Sequence, residues 1–349
     1  MKLRRRSGDI DVGPGYPTRI NALVGISSKG GVASQQRKIA ALATATSKPD
    51  VVSDLTIIQV SGVPLWRQLL NESDFVVGTL PVYTATRQKD RIDQSELLAI
   101  AVEQMEAGVG LVTIHPTASR EIMETTSTRM VPITSRGGSI IVRDLLCSTA
   151  QDNVYLRILP DLISHARRTS AVLSIGATFR SATIFDSCDE AQLLELDSQL
   201  RLARDIQEAG VGVIIETPGH ARPRDIQRIA TLLRPTGFPI MPLGPIPTDC
   251  AIGQDHVSAA IGAALLGLAG CAHILAAVTR EEHTGGVPSI ASTIEAVEAA
   301  RVAAHIIDLE TLNADQLDMI VAQGRAEHRS CVSGKKSRGC ARCADVCPL

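Results

Sequence analysis

The sequence predicts an α/β protein: a (β/α)8 barrel followed by a small, separate cysteine-rich tail. Three observations predict it. Between residues 20 and 305, short β-branched or apolar runs alternate with longer helical patterns, which is the signature of successive βα units on a parallel sheet. The chain has 349 residues, 44% of them hydrophobic, enough for one large barrel core. Finally, the polar residues with chemical potential fall at or just after the C-terminal ends of the apolar runs, and in a barrel those ends share one mouth.

Taken in order, the strands are predicted over 20–25, 51–55, 75–80, 110–114, 130–134, 172–176, 212–216, 239–243 and 273–278. Helices are predicted over 94–106, 153–168, 190–209, 223–233, 257–268 and 290–305. Gly210 and Gly237 stand where helices should be capped, each shortly before a strand. Nine strands are one more than the ring holds, so the first or the fifth lies outside it. A doubly wound sheet is the competing architecture, but no GxGxxG follows the first strand. The stretch 256–279 is long enough to span a bilayer. Gly262, Gly267, Gly270 and His273 interrupt it, so a buried helix turning into a buried strand is the better reading.

Composition excludes several function classes. Lys+Arg is 35 against Asp+Glu 37, for a formal charge of −2, so there is no electrostatic footprint for nucleic acid and no polybasic membrane signal. Aromatic residues are only 2% of the chain, too few to stack on single strands. The basic start of the chain has no apolar segment behind it. Arg4, Arg5 and Arg6 read as a solvated arm, and the expected location is the cytoplasm.

Cys147, Cys188, Cys250 and Cys271 are scattered among apolar neighbours and read as core filling. The other four crowd the last nineteen residues. After a helix predicted over 314–328, a Gly/Ser/Lys-rich linker leads to Cys340-x-x-Cys343-x-x-x-Cys347. Three thiolates leave a structural zinc one ligand short, unless Cys331 completes it. They suit a [4Fe–4S] cluster whose fourth iron is open to a small molecule, and in radical enzymes that molecule is S-adenosylmethionine.

At the mouth, Glu216-Thr217-Pro218-Gly219-His220 closes one strand, and His283 ends the loop after the last. Two neutral imidazoles on neighbouring loops make a two-ligand metal site that water or substrate would complete. The bland alternative is a pair of hydrogen-bonded histidines. Ser135-Arg136-Gly137-Gly138-Ser139 offers freed backbone N–H groups, a guanidinium and two hydroxyls, which suit a phosphate. The alternative is an ordinary loop ended by an N-cap at Ser139.

These residues match a family. In order along the chain stand INALVGIS, VGTLPVY, VTIH, TSRGGS, SIGATFR, DEAQL, IIETPGH, LGPIPTDCAIGQDH, IGAALLGLAGCA, VTREEH and the terminal cysteine triplet. The sequence resembles the phosphomethylpyrimidine synthase family, the thiamine pyrimidine synthases, together with its 5-hydroxybenzimidazole synthase paralogue. The resemblance implies a noncanonical radical S-adenosylmethionine enzyme: a barrel, a C-terminal [4Fe–4S] domain, and a homodimer in which the cluster domain reaches the partner's barrel. The substrate it implies is 5-aminoimidazole ribonucleotide, rearranged by the 5′-deoxyadenosyl radical, with electrons from an external donor.

Position by position, the resemblance makes Cys340, Cys343 and Cys347 the cluster ligands, and His220 and His283 the ligands of one divalent metal, zinc or iron. Tyr83, His115, Ser135, Arg136, Gly137, Arg180 and Glu216 become substrate contacts, with Glu216 also catalytic. Four pocket positions depart from the family: Leu23 replaces Asn, Ser53 Met, Ala177 Asp and Met241 Tyr. EGPGH has become ETPGH, and the N-terminal region is shortened. The implied layout is an arm over 1–18, a catalytic barrel over 19–308, and a helix, linker and cluster motif over 309–349. The expected activity is a lyase making the hydroxymethylpyrimidine phosphate of thiamine biosynthesis. The alternatives are a paralogue with another rearranged product, and a metal-binding barrel without catalysis.

Overall fold

The computed structural model describes residues 1–59, 62–85, 87–88, 91–150, 152–332, 343 and 346. Eight parallel strands form one sheet: β1 (Arg19–Val24), β2 (Val51–Asp54), β3 (Val76–Thr79), β4 (Leu111–Ile114), β5 (Val172–Ile175), β6 (Val213–Glu216), β7 (Ile240–Met241) and β8 (Ile274–Ala276). Their order is β7-β6-β5-β4-β3-β2-β1-β8. The seam between β7 and β8 is bridged by His273. Its N–H donates to the Ile240 carbonyl at 2.9 Å, and its Nδ1 accepts from the Ile240 N–H at 3.0 Å. The sheet is thus a nearly closed (β/α)8 barrel.

The helices are α1 (Val32–Thr44), α2 (Leu65–Glu72), α3 (Gln94–Ala107), α4 (Arg120–Thr125), α5 (Arg136–Cys147), α6 (Val154–Thr169), α7 (Glu190–Glu208), α8 (Pro223–Leu233), α9 (Asp255–Leu268), α10 (Ile290–Leu312) and α11 (Gln316–His328). The apolar stretch over 256–279 is α9 followed by β8. No helix among the described residues is long and apolar enough to cross a membrane.

Of the nine predicted strands, the fifth is the one outside the ring. Residues 130–134 form no strand, because Pro132 cannot donate to a ladder. The Asp186 carboxylate takes the N–H groups of Met130 and Val131 at 3.0 and 3.1 Å.

Side chains alternate along each strand, so one set faces the helices and the other the barrel interior. The interior set changes character along the axis. At the N-terminal end, Val51, Val76, Leu111, Val172, Ile214 and Ile274 make an apolar floor. Two residues further on stand Ser53, Thr113, Ser174 and Glu216. The floor packs against Leu3, Ile10 and Val12 of an N-terminal hairpin, all buried. The solvated arm expected at the start of the chain is therefore a plug. Its arginines lie outside and hold helix C-termini, Arg4 donating to Thr169 O and Arg6 to Asn71 O.

Candidate active site

A cavity of about 200 Å³ opens at the C-terminal ends of the strands. Tyr83, His115, Ser135, Arg136, Arg180, Glu216, His220 and His283 all line it. Gly137 lies beside it, against His115.

Glu216 ends β6 with its side chain across the barrel. Its Oε1 accepts from Ser174 Oγ at 3.0 Å and Thr113 Oγ1 at 3.1 Å, which leaves Oε2 to meet a ligand. Burial raises its pKa, opposed by the Arg180 guanidinium and the two hydroxyls. His115, just beyond β4, is fully enclosed, and burial holds its pKa at about 3. The imidazole is therefore neutral, with Nε2 3.2 Å from Ser135 Oγ. A Cβ on Gly137 would come within 2.3 Å of this ring, and one on Gly176 within 2.6 Å. Any other residue at either position would displace the imidazole.

The Ser-Arg-Gly-Gly-Ser segment is the start of α5, and the cap is Ser135, not Ser139. Ser135 Oγ accepts from the Gly138 N–H at 3.1 Å. The glycines serve close packing, since a Cβ on Gly138 would strike Thr178 at 2.6 Å. The helix N-terminus and Arg136, whose guanidinium lies 5.6 Å from the Tyr83 ring centroid, together favour an anion.

At the rim, His220 Nδ1 lies 2.6 Å from Asp249 Oδ1, and His283 Nδ1 lies 2.6 Å from Asp255 Oδ1. A carboxylate accepts, so each Nδ1 faces it with an N–H, and in the neutral ring of that tautomer Nε2 presents a lone pair. Those two Nε2 atoms are 3.1 Å apart. Two lone pairs at that distance repel unless a cation lies between them. One ion bound at about 2.0–2.1 Å to each, at a tetrahedral angle, would place them about 3.3 Å apart. The donor set fits a divalent metal held by two imidazoles, each oriented by a carboxylate. Among the described residues no group of three or more His, Cys, Asp and Glu is arranged to hold a metal.

Asp249 and Asp255 were not assigned by sequence reasoning, although both lie within the LGPIPTDCAIGQDH segment. Asn21 was missed as well; it lines the cavity and accepts from Ser53 Oγ at 3.0 Å. Asp54, which ends β2, turns away from the cavity and holds Thr56 and the Trp66 N–H. Gly219 is required by close approach: a Cβ there would lie 2.5 Å from the Ser181 carbonyl. Of the four departures from the family pattern, Leu23, Ser53 and Met241 line the cavity. Ala177 is buried beside it, and its carbonyl accepts from Arg180 Nη1 at 2.9 Å. Cys340 and Cys347 lie outside the described residues; Cys343 is half-buried.

The profile of the Radical SAM ThiC family matches residues 2–348. A phosphomethylpyrimidine synthase of Pyrobaculum aerophilum is 31% identical over 97% of this chain and 85% of its own length. One of Moorella thermoacetica is 33% identical over 85% of this chain and 70% of its own. Among solved structures, Yersinia pestis DHPS superposes with a TM-score of 0.47 at 10% identity, over 87% of this chain and 98% of its own. That last likeness carries no functional argument.

Proposed function

The chain belongs to the Radical SAM ThiC family, and from that premise we propose that it is a radical S-adenosylmethionine lyase of thiamine pyrimidine synthesis. Its substrate in this reading is 5-aminoimidazole ribonucleotide or a close phosphorylated analogue, and its product hydroxymethylpyrimidine phosphate. The observation that carries the proposal is the pair of converging Nε2 atoms, 3.1 Å apart, at the rim of a cavity walled by Arg136, Arg180, Glu216 and a neutral His115.

A [4Fe–4S] cluster held by Cys340, Cys343 and Cys347 would supply the electron, from an external donor, that cleaves S-adenosylmethionine. The chain's own residues do the rest of the positioning. Arg136 and the start of α5 would take the phosphate, with Ser135 fixed as the cap. Neutral His115 can donate or accept at the imidazole of the substrate without adding charge. Glu216 Oε2 would accept from a substrate amine or hydroxyl, in a setting where burial raises the carboxyl's pKa against the pull of Arg180 and the two hydroxyls. His220 and His283 would hold one zinc or iron ion.

One observation favours a second reading, a paralogue with another rearranged product. The chain has no carboxylate at position 177, and Arg180 is turned onto the Ala177 carbonyl instead. A site that loses a hydrogen-bonding group usually changes its discrimination steeply.

The test is anaerobic incubation of cluster-reconstituted protein with S-adenosylmethionine, a reductant and 5-aminoimidazole ribonucleotide, with mass analysis of the products. Hydroxymethylpyrimidine phosphate and 5′-deoxyadenosine are expected. 5-Hydroxybenzimidazole would establish the paralogue reading. No nucleotide-dependent product from protein that binds the nucleotide and carries its cluster would overturn both.

A further inference from the structure

Helix α7 does not line the cavity, yet two of its buried side chains reach the loops after β4 and β5 and the ends of β5 and β6. Glu195 is 1% exposed. Its Oε1 accepts from Thr117 Oγ1 at 2.7 Å and from the Thr178 N–H at 2.7 Å, and its Oε2 accepts from the Phe179 N–H at 2.6 Å. Thr117 stands two residues after His115, and Phe179 immediately precedes Arg180. One turn further along α7, Gln199, also 1% exposed, donates from Nε2 to the Ile175 carbonyl at 3.0 Å and to the Glu216 carbonyl at 3.1 Å.

An i, i+4 pair presents both side chains on one helix face. That face holds the loop after β4, the end of β5 with its loop, and the end of β6. The residues so held carry His115, Arg180 and Glu216. A buried carboxylate is costly unless it is fully hydrogen-bonded, and the core could have filled this space with a leucine. The three bonds join two neighbouring loops that share no strand ladder at that level. We propose that Glu195, assisted by Gln199, is a positioning residue of the site, setting the distance between His115 and Arg180 through their loops. The inference rests on the functional reading only in taking His115, Arg180 and Glu216 as ligand-facing groups.

The experiment compares the full-length chain with Glu195→Gln and Thr117→Val. Asp197→Asn, on the exposed side of the same helix, is the control. Histidine is isotopically labelled in each protein, and the His115 ring signal is assigned by its loss in His115→Gln. Glu195→Gln places an amide N–H against a backbone donor. It should displace the His115 ring signal while the signals of the remote His165 and His328 stay in place. Thr117→Val, which removes a single bond and keeps the volume, should move the same signal in a chain that folds normally.

Binding of 5-aminoimidazole ribonucleotide, measured by anaerobic calorimetry, should weaken on the order of tenfold to a hundredfold in Glu195→Gln, as displaced contact groups commonly cause. An unmoved His115 signal in both variants would overturn the proposal. If the wild-type chain binds no such nucleotide, the functional reading fails, and the His115 signal alone decides the positioning role.

Discussion

A histidine that gives one ring nitrogen to a carboxylate has only the other left to offer, and His220 and His283 offer theirs to the same point. This makes the outcome of single substitutions specific. His220→Ala or His283→Ala should lose the bound divalent ion, measured by elemental analysis after loading with zinc or iron(II), with the circular dichroism of the barrel unchanged. Asp249→Asn keeps the ligand but loosens its orientation, and should weaken metal affinity about 10–100-fold. Full metal retention in His220→Ala would show that the two imidazoles are only hydrogen-bonded. The histidines, Glu216 and Arg180 were legible in the sequence because each stands at or after the end of a predicted strand, on the side where a barrel has its mouth. Asp249 and Asp255 were not legible. They reach their histidines from 29 and 28 residues away, and no spacing rule encodes such a meeting. Ala177 is buried without lining the cavity, since a methyl group does not reach where a carboxylate would.

Single elements carry a second kind of information, which periodicity alone does not supply. Residues 130–134 have the apolar and β-branched composition of a strand, yet the N–H groups of Met130 and Val131 are taken by the Asp186 side chain. The opening of the chain reads as basic and solvated, yet alternate residues of its hairpin fill the floor of the barrel. In both cases a partner distant in sequence decides the structure, and a window of local sequence cannot contain that partner. The seam of the barrel yields a pH prediction. His273 Nδ1 must be unprotonated to accept from the Ile240 N–H, and burial lowers its pKa from 6.5 to about 4. The unfolded chain therefore binds this proton more readily than the folded one. The contribution is complete above about pH 6.5 and is lost as pH falls through the folded value near 4. At pH 5 the loss from this residue should be about 2 kcal/mol. In His273→Asn, a side-chain oxygen can accept the same N–H without titrating. Urea unfolding should find the variant losing less stability than wild type between pH 7 and pH 5. Equal losses would remove His273 as the cause.

At the scale of the whole molecule, α11 is the element the barrel does not explain. It follows the last barrel helix, has no buried residue, and leaves Leu317, Met319 and Ile320 more than half exposed. A thirteen-residue helix of this kind is marginal alone in water, so a covering surface is needed, and the linker and cysteine motif follow it in the sequence. The family resemblance implies that a second copy of the chain provides that surface and that each tail delivers its cluster to the partner's barrel mouth. Mixing two inactive chains tests this. Cys343→Ala should abolish the cluster but leaves the barrel site whole, whereas His220→Ala damages the barrel site but leaves the tail whole. If tails cross between copies, a mixed dimer has one barrel with intact histidines facing one tail with intact cysteines. Random association makes half the dimers mixed, each with one complete site of two, so about a quarter of wild-type activity should return. If each tail serves its own barrel, every site in every dimer carries one defect and no activity returns. Cys331→Ala is the companion measurement. It should keep its iron, and loss of iron as complete as in Cys343→Ala would mean a four-thiolate site. Such a cluster would have no open iron for S-adenosylmethionine, and the mixture would then stay inactive whichever barrel the tail reaches.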